Sequence, residues 1–331
     1  KIISKLDITN RRTPQDGSVR VSLQGKEIDL RISTLPSIYG EKVVMRLLDQ
    51  SHGIVNIDEL AMPDNIKNPL LSVLRSPQGM LIVTGPTGSG KTTTLYACLN
   101  EIRSVTKNII TIEDPVEYKI DGIIQTQVNE AVGRTFASVL RAVLRQDPDI
   151  VMVGEIRDLE TAEIATKASL TGHLVLTTLH TNNTIATITR LIDIGIPPYL
   201  VSSALSGVLS QRLVRKICVH CKISLDITDE IKDKIESMGL PMLTKHYFGA
   251  GCQKCSNTGY SGRIAIYEFL PMTHSIKRLV AKNTEEDRLF IEARKEGVTF
   301  LYEDAWNKVR LGITTIDEVI AKIPMDYGLN R

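Results

Sequence analysis

Gly85-Pro86-Thr87-Gly88-Ser89-Gly90-Lys91-Thr92 decides the reading of this chain. It follows the apolar run Met80-Leu81-Ile82-Val83-Thr84 and precedes Thr93-Thr94-Leu95-Tyr96-Ala97-Cys98-Leu99, which reads as a helix. Strand, glycine-rich loop and helix start stand in the order that a phosphate-binding loop requires. The glycines let successive N–H groups turn inward toward an anion, and the helix N-terminus adds partial positive charge. Lys91 is placed to reach the β- and γ-phosphates, and the Thr92 hydroxyl to take a Mg²⁺ position. Gly85, Pro86, Thr87, Gly88, Ser89, Gly90, Lys91, Thr92 and Thr93 are therefore the candidate nucleotide-binding residues. An ordinary glycine turn requires neither the lysine nor the threonine. The expected ligand is a nucleoside triphosphate.

Outward from this loop, short apolar runs at 80–84, 109–112, 150–153 and 174–178 alternate with helical patterns. Those patterns cover 92–104, 135–145, 159–170 and 184–194, with another at 63–75 and a further helix at 199–215. Alternation of buried strands and helices predicts a parallel sheet covered on both faces. Ligands of such sheets lie at the carboxyl ends of the strands. Two strand ends there are acidic: Ile112-Glu113-Asp114-Pro115-Val116-Glu117 and Val153-Gly154-Glu155-Ile156-Arg157-Asp158. Hydrolysis of a phosphoanhydride requires a metal to offset charge and a carboxylate to orient or deprotonate water. Gly154 stands where NTPases usually carry an aspartate, so the metal side passes to Glu155 and Glu113 becomes the first candidate base. The opposite assignment is open. Asp158 reads as a helix N-cap.

His173 and His180 bracket the run 174–178. His180, at the carboxyl end, is the candidate phosphate contact. Arg141 and Arg145 share a helix face, and Arg157 follows Glu155. Each reads either as a surface ion pair or as a cation supplied to a γ-phosphate. Before the loop, residues 1 to 48 read as mixed β structure, with turns at Pro14-Gln15-Asp16-Gly17 and Gln24-Gly25 around alternating Val19, Val21, Leu23 and Ile28, Leu30, Ile32. Arg31 falls on the polar face, with Glu27, Asp29 and Ser33. Arg46 interrupts an apolar run and calls for a partner.

Cys218-x-x-Cys221 and Cys252-x-x-Cys255 supply four thiolates in two knuckles; the fifth cysteine, Cys98, lies in the helix after the loop. Four sulfur ligands make a closed tetrahedral site, so zinc here is expected to be structural. The pattern argues against a disulfide framework and for a reducing compartment, the cytoplasm. A net charge of +2 over 331 residues points to neither nucleic acid nor lipid as an obligatory partner. No apolar run is long enough to span a bilayer. The chain opens at Lys1 and is expected to be part of a longer protein.

Taken together, the boxes resemble the secretion ATPases of type II secretion and type IV pilus assembly. The phosphate loop 85–92, Ile112-Glu113-Asp114-Pro115, Gly154-Glu155-Ile156-Arg157-Asp158, the stretch from Thr171-Gly172-His173 to His180 and the four cysteines carry the resemblance. Pro14-Gln15-Asp16-Gly17 and Val44-Met45-Arg46-Leu47-Leu48-Asp49 extend it toward the start. The resemblance implies an α/β fold: a RecA-like P-loop core, part of a PAS-like α+β N-terminal domain and a tetracysteine zinc insert. It implies residues 1–48 as the end of the N-terminal domain, 49–60 as linker, 61–215 as ATPase core, 216–258 as zinc module and 259–331 as a helical region. It implies ATP, Mg²⁺ (on Thr92 and Glu155) and Zn²⁺, and catalysis by Lys91, Glu113, Glu155, His180, Arg31 and Arg46, the two arginines reaching the nucleotide. It implies a homo-hexameric motor, peripheral at the inner membrane through a platform and cytoplasmic-domain partners and binding no nucleic acid, which powers pseudopilus assembly. Pilus extension is the alternative. A RecA-like nucleic-acid translocase is the competing class.

Overall fold

The computed structural model describes residues 1–23, 26–49, 55–237 and 239–323, in two units, Lys1–Val55 and Asn56–Arg331. Alternation in the first unit resolves into three antiparallel strands, β1 (Gln15–Leu23), β2 (Lys26–Ser37) and β3 (Gly40–Asp49), in that spatial order. Leu30, Ile32 and Thr34 form the buried face of β2. Arg31 lies on the other face, directly opposite Ser18 on β1 and Arg46 on β3. The turn expected at Pro14-Gln15-Asp16-Gly17 is instead the start of β1. Gly17 is there for close approach, since a Cβ would fall 2.8 Å from Leu6 Cδ2 and 3.0 Å from Ser4 O. The turn at Gln24-Gly25 and residues 50–54 of the expected linker lie outside the described residues.

In the second unit, α1 (Asp64–Leu74) leads to β4 (Gly79–Thr84), whose every position is buried, and then to α2 (Lys91–Ile102). There follow β5 (Ile109–Glu113), β6 (Ile124–Gln127), α3 (Phe136–Val143), β7 (Ile150–Val153), α4 (Leu159–Leu170), β8 (Leu174–Leu179), α5 (Thr184–Ile194) and α6 (Pro198–Ala204). Asp158 caps α4 as expected, accepting from Thr161 N at 2.8 Å. The helix expected at 199–215 ends at Ala204. From there β9 (Leu205–Ile217) enters the sheet.

The reason lies in burial on both faces. Val208, Leu209 and Val214 pack in the core, while Ser210, Gln211 and Arg212 are equally buried, the last two among polar partners. The run therefore shows neither strand alternation nor a free polar side.

Two further strands, β10 (Lys222–Asp226) and β11 (Lys245–Gly249), form an antiparallel ribbon with α7 (Asp229–Ser237) between them. The region expected to be helical from 259 begins with β12 (Tyr260–Pro271), antiparallel to β9, before α8 (His274–Ala281), α9 (Glu286–Lys295), α10 (Leu301–Arg310) and α11 (Ile316–Lys322). The seven-stranded order is β12-β9-β4-β8-β7-β5-β6. All neighbours are parallel except β12 and β9. The expected α/β class with a parallel sheet covered by helices is found. Each fully buried Leu, Ile or Val of β4, β7 and β8 contributes about 1.5–3 kcal/mol. That apolar slab fixes the strand ends on which the site stands.

Candidate nucleotide site and metal centre

The loop between β4 and α2 uses its glycines where the backbone demands them. Gly85, Gly88 and Gly90 have φ of 147°, 78° and 90°, a region side chains avoid. A Cβ on Gly85 would also fall 2.4 Å from Gln211 O and 2.6 Å from Ser89 Oγ. Gly90 is the N-cap of α2, so the helix N-terminus faces the loop, with Thr92 and Thr93 exposed in its first turn. Ser89 Oγ is buried with no hydrogen-bond partner among the described residues. A cradle of inward N–H groups, a buried free hydroxyl and a lysine make a set that fits phosphate oxygens.

Lys91 Nζ donates to Gly85 O at 2.8 Å and Pro86 O at 3.3 Å, and lies 3.4 Å from His180 Nδ1. Burial pushes its pKa down to about 8; Glu155 opposes this and the positive charge of Arg212 adds to it. On its other side, His180 Nε2 is 3.3 Å from Glu155 Oε2. Arg157 pairs with Glu155 and, at 3.5 Å, with Asp114. Burial raises the Glu155 pKa, but hydrogen bonding and charge from Arg157, with His180 behind them, outweigh it and hold the carboxyl below its usual range. Lys91, His180 and Glu155 thus form one connected chain.

Glu113, on the neighbouring strand, is held by other partners. Its carboxylate is buried and accepts from Tyr96 Oη, from Thr111 Oγ1 at 2.5 Å and from Gln125 Nε2 at 3.1 Å. The Tyr96 hydroxyl also accepts from Glu117 N at 3.2 Å, tying the acidic segment to α2. At Gly154 the backbone runs close to β5, where a Cβ would lie 3.2 Å from Ile112 O. His173 is at the other edge of the sheet, its Nδ1 3.0 Å from Ala168 O. Arg141 pairs with Glu160 at 2.5 Å, and Arg145 donates to Arg141 O at 2.9 Å. Arg31 and Arg46 belong to the first unit.

Two residues escaped the sequence reading. Gln211 Nε2 donates to Ser89 O at 2.6 Å and Gln211 Oε1 accepts from Thr94 Oγ1 at 2.8 Å, seating the loop on β9. Arg212 reaches the segment after β8. Their signal was a Gln-Arg pair inside the apolar stretch 205–214, the same anomaly noted at Arg46.

The four cysteine Sγ atoms lie within 4.8 Å of one another. Cys218–Cys252, Cys221–Cys255 and Cys252–Cys255 are 3.9, 3.8 and 3.7 Å apart. A tetrahedral ion with 2.3 Å metal–sulfur bonds separates its ligands by about 3.8 Å, so the donor set fits zinc. Cys218 follows β9 and Cys255 precedes β12, which places the four thiols at the neck of the β10–β11 ribbon.

The fold and the loop define a P-loop nucleotide-binding protein. Residues 1–321 match the family described as Type II/IV secretion system protein, and the chain belongs to that family. It is 47% identical over 320 residues to Type II secretion system protein HxcR of Pseudomonas aeruginosa, covering 97% of this chain and 64% of that protein. It is 48% identical to Type II secretion system ATPase E of Vibrio cholerae, covering 97% and 63%. To Type IV pilus assembly ATPase PilB of Thermus thermophilus it is also 48% identical, covering 97% and 36%. The chain thus spans less than two thirds of the length of these relatives. Among solved structures it is similar to the pilus retraction motor PilT with bound ADP, at a TM-score of 0.68 and 29% identity over 96% of this chain and 80% of that one.

Proposed function

We propose that this chain is the nucleotide-hydrolysing part of a hexameric motor that powers pseudopilus assembly in type II secretion. The observation that carries the reading is the Lys91–His180–Glu155 chain beside the phosphate loop. The loop and Lys91 hold the phosphates of ATP, and Thr92 and Glu155 hold Mg²⁺, which neutralises charge on the transferred phosphoryl group when bound. His180 meets the γ-phosphate. A water oxygen bonds to the γ-phosphorus as its bond to the β-bridging oxygen breaks, giving ADP and phosphate.

Glu113 remains a candidate base, but to take the water's proton it must release Tyr96, Thr111 or Gln125. Glu155 is held by Arg157 and His180 rather than by neutral donors, and its contact with the His180 of the Lys91 chain favours the reading in which Glu155 serves the water as well. Arg31 and Arg46 are proposed to supply further cations to the nucleotide in the ring. Their support is the cross-strand register, which sets Arg31 directly opposite Arg46 on the same face of the sheet. Among the described residues no helix is long and apolar enough to cross a membrane, consistent with docking at the inner membrane through a platform partner. Pilus extension is the second reading, favoured by equal identity to a pilus assembly ATPase. Restoring secretion rather than piliation in a deletion strain separates the two. Strong stimulation of hydrolysis by DNA or RNA would instead favour a nucleic-acid translocase.

Turnover and ADP affinity of acid variants test the site. Glu155→Gln is expected to lower kcat by about 10²–10³-fold while ADP affinity stays within about threefold. Glu113→Gln and Glu117→Gln are measured beside it. A Glu155→Gln enzyme at wild-type rate overturns the assignment.

Nucleotide affinity also reports on Lys91. Its pKa of about 8 before binding means that the ammonium is lost as pH rises through 8, and a bound phosphate restores it. ADP affinity is therefore expected to fall by about tenfold per pH unit above about pH 8.5, with uptake of one proton. Titration calorimetry in buffers of different ionisation heat measures both; proton release would contradict the expectation.

A further inference from the structure

We propose that Arg212 is a positioning residue for hydrolysis, holding from below the segment that carries His180. The proposal rests on the reading of His180 as the γ-phosphate contact. Arg212 stands on β9 and is 4% exposed. One terminal nitrogen donates to Asn182 O at 2.9 Å and Asn182 Oδ1 at 3.2 Å, and the other to Gln211 O at 3.2 Å. Successive strand residues face opposite sides. Gln211 therefore holds the phosphate loop from one side of β9, through Ser89 and Thr94, while Arg212 holds the segment after β8 from the other.

That segment is clamped at three points beyond His180. Thr181 N donates to Thr84 Oγ1 at 3.0 Å, Asn182 accepts from Arg212, and Thr184 gives N–H and hydroxyl bonds of 2.9 and 2.5 Å to Glu268 Oε1. Glu268, on β12, is buried and also accepts from Leu301 N at 3.0 Å. Burial pushes its pKa up, against the bonds from Thr184 and Leu301 and the positive charge of Arg212. A buried guanidinium is costly unless its hydrogen bonds are met, and its planar fork fixes two acceptors at a set geometry. What this geometry sets is the imidazole of His180, which spans Lys91 and Glu155 through contacts of 3.4 and 3.3 Å. Contacts of that length leave little room for displacement before one of them is lost. The phosphates themselves rest on the loop that Gln211 seats, so loss of Arg212 acts on turnover rather than on binding.

The test compares kcat and ADP affinity in Arg212→Gln, His180→Gln, the double variant and Asn182→Ala. Expected are a loss in kcat of about tenfold or more for Arg212→Gln, ADP affinity within about threefold, and a double variant no slower than His180→Gln alone. A His180→Gln enzyme at wild-type rate sinks the underlying site reading. If His180→Gln is slow, three results overturn the present proposal: an unchanged kcat in Arg212→Gln, ADP binding weakened in proportion to kcat, or losses that multiply in the double variant. Should Arg212→Gln fail to fold, Asn182→Ala decides. It removes one acceptor from an exposed residue, and its kcat is expected to fall about threefold; an unchanged kcat overturns the proposal.

Discussion

Lys91→Ala is expected to leave no measurable ATP hydrolysis, a loss in kcat of about 10³-fold or more. The ammonium is the one cation of the Lys91–His180–Glu155 chain that approaches the loop backbone, and it now rests on the carbonyls of Gly85 and Pro86. A triphosphate presents the stronger acceptor, and as the bond to the γ-phosphorus breaks, charge accumulates on oxygens that the lysine meets. Alanine removes that charge and supplies nothing in its place. The fold is expected to survive, because Lys91 opens α2 with its side chain only part-buried, and alanine is a better helix former. A circular-dichroism spectrum and melting temperature close to wild type, with hydrolysis absent, are the paired readouts. Hydrolysis above a tenth of the wild-type rate would place the chemistry elsewhere.

Cys252→Ser, or prolonged chelation, is expected to have the largest effect on structure. Zinc in small metal-dependent modules is worth about 10–16 kcal/mol at neutral pH, several times the burial of any single apolar side chain. Here the four thiols close the neck of an insertion whose ribbon has β10 fully exposed and whose largely polar α7 is anchored by Ile235, with Leu240 and Leu243 buried beyond it. Zinc content is expected to fall from one ion per chain to none, and proteases to cut between 222 and 249. The chain's single tryptophan reports the event, since Trp306 Nε1 on α10 donates to Pro241 O of the insertion at 2.9 Å. Loss of that contact shifts its emission to longer wavelength. ADP affinity is expected to stay within about threefold, because β4, its loop and α2 pack on the parallel sheet. Protein purified without metal and with an intact insertion would refute the zinc reading.

Much of this was legible before any coordinates. The phosphate loop is local: its glycines, lysine and threonine act through the backbone of a few consecutive residues, so their spacing carries the geometry. The same holds for the cysteine knuckles, for Asp158 as a cap and for the apolar strands of the parallel sheet, whose residues are buried on both faces. Reading failed where burial and polarity coincide. Residues 205–217 mix Ser210, Gln211 and Arg212 with leucines and valines, and Gln211 and Arg212 are there to satisfy the loop and the segment beyond β8. Glu113 stands in sequence like Glu155, and only packing separates a carboxylate held by three donors from one beside His180.

By itself, the sequence pointed to a strand–loop–helix that suits a nucleoside triphosphate, to four thiolates that can share a metal, and to the type II/IV secretion system proteins. Tertiary structure alone showed that His180 links Lys91 to Glu155 while Glu113 is held by Tyr96, Thr111 and Gln125. It also brought Gln211, Arg212 and Glu268, far along the chain, under those residues. The physical reason is that a motif's backbone conformation is set within a few residues. The surroundings of a charged group are set instead by strand order in the sheet, which places β9 beside β4 and β12 beside β9.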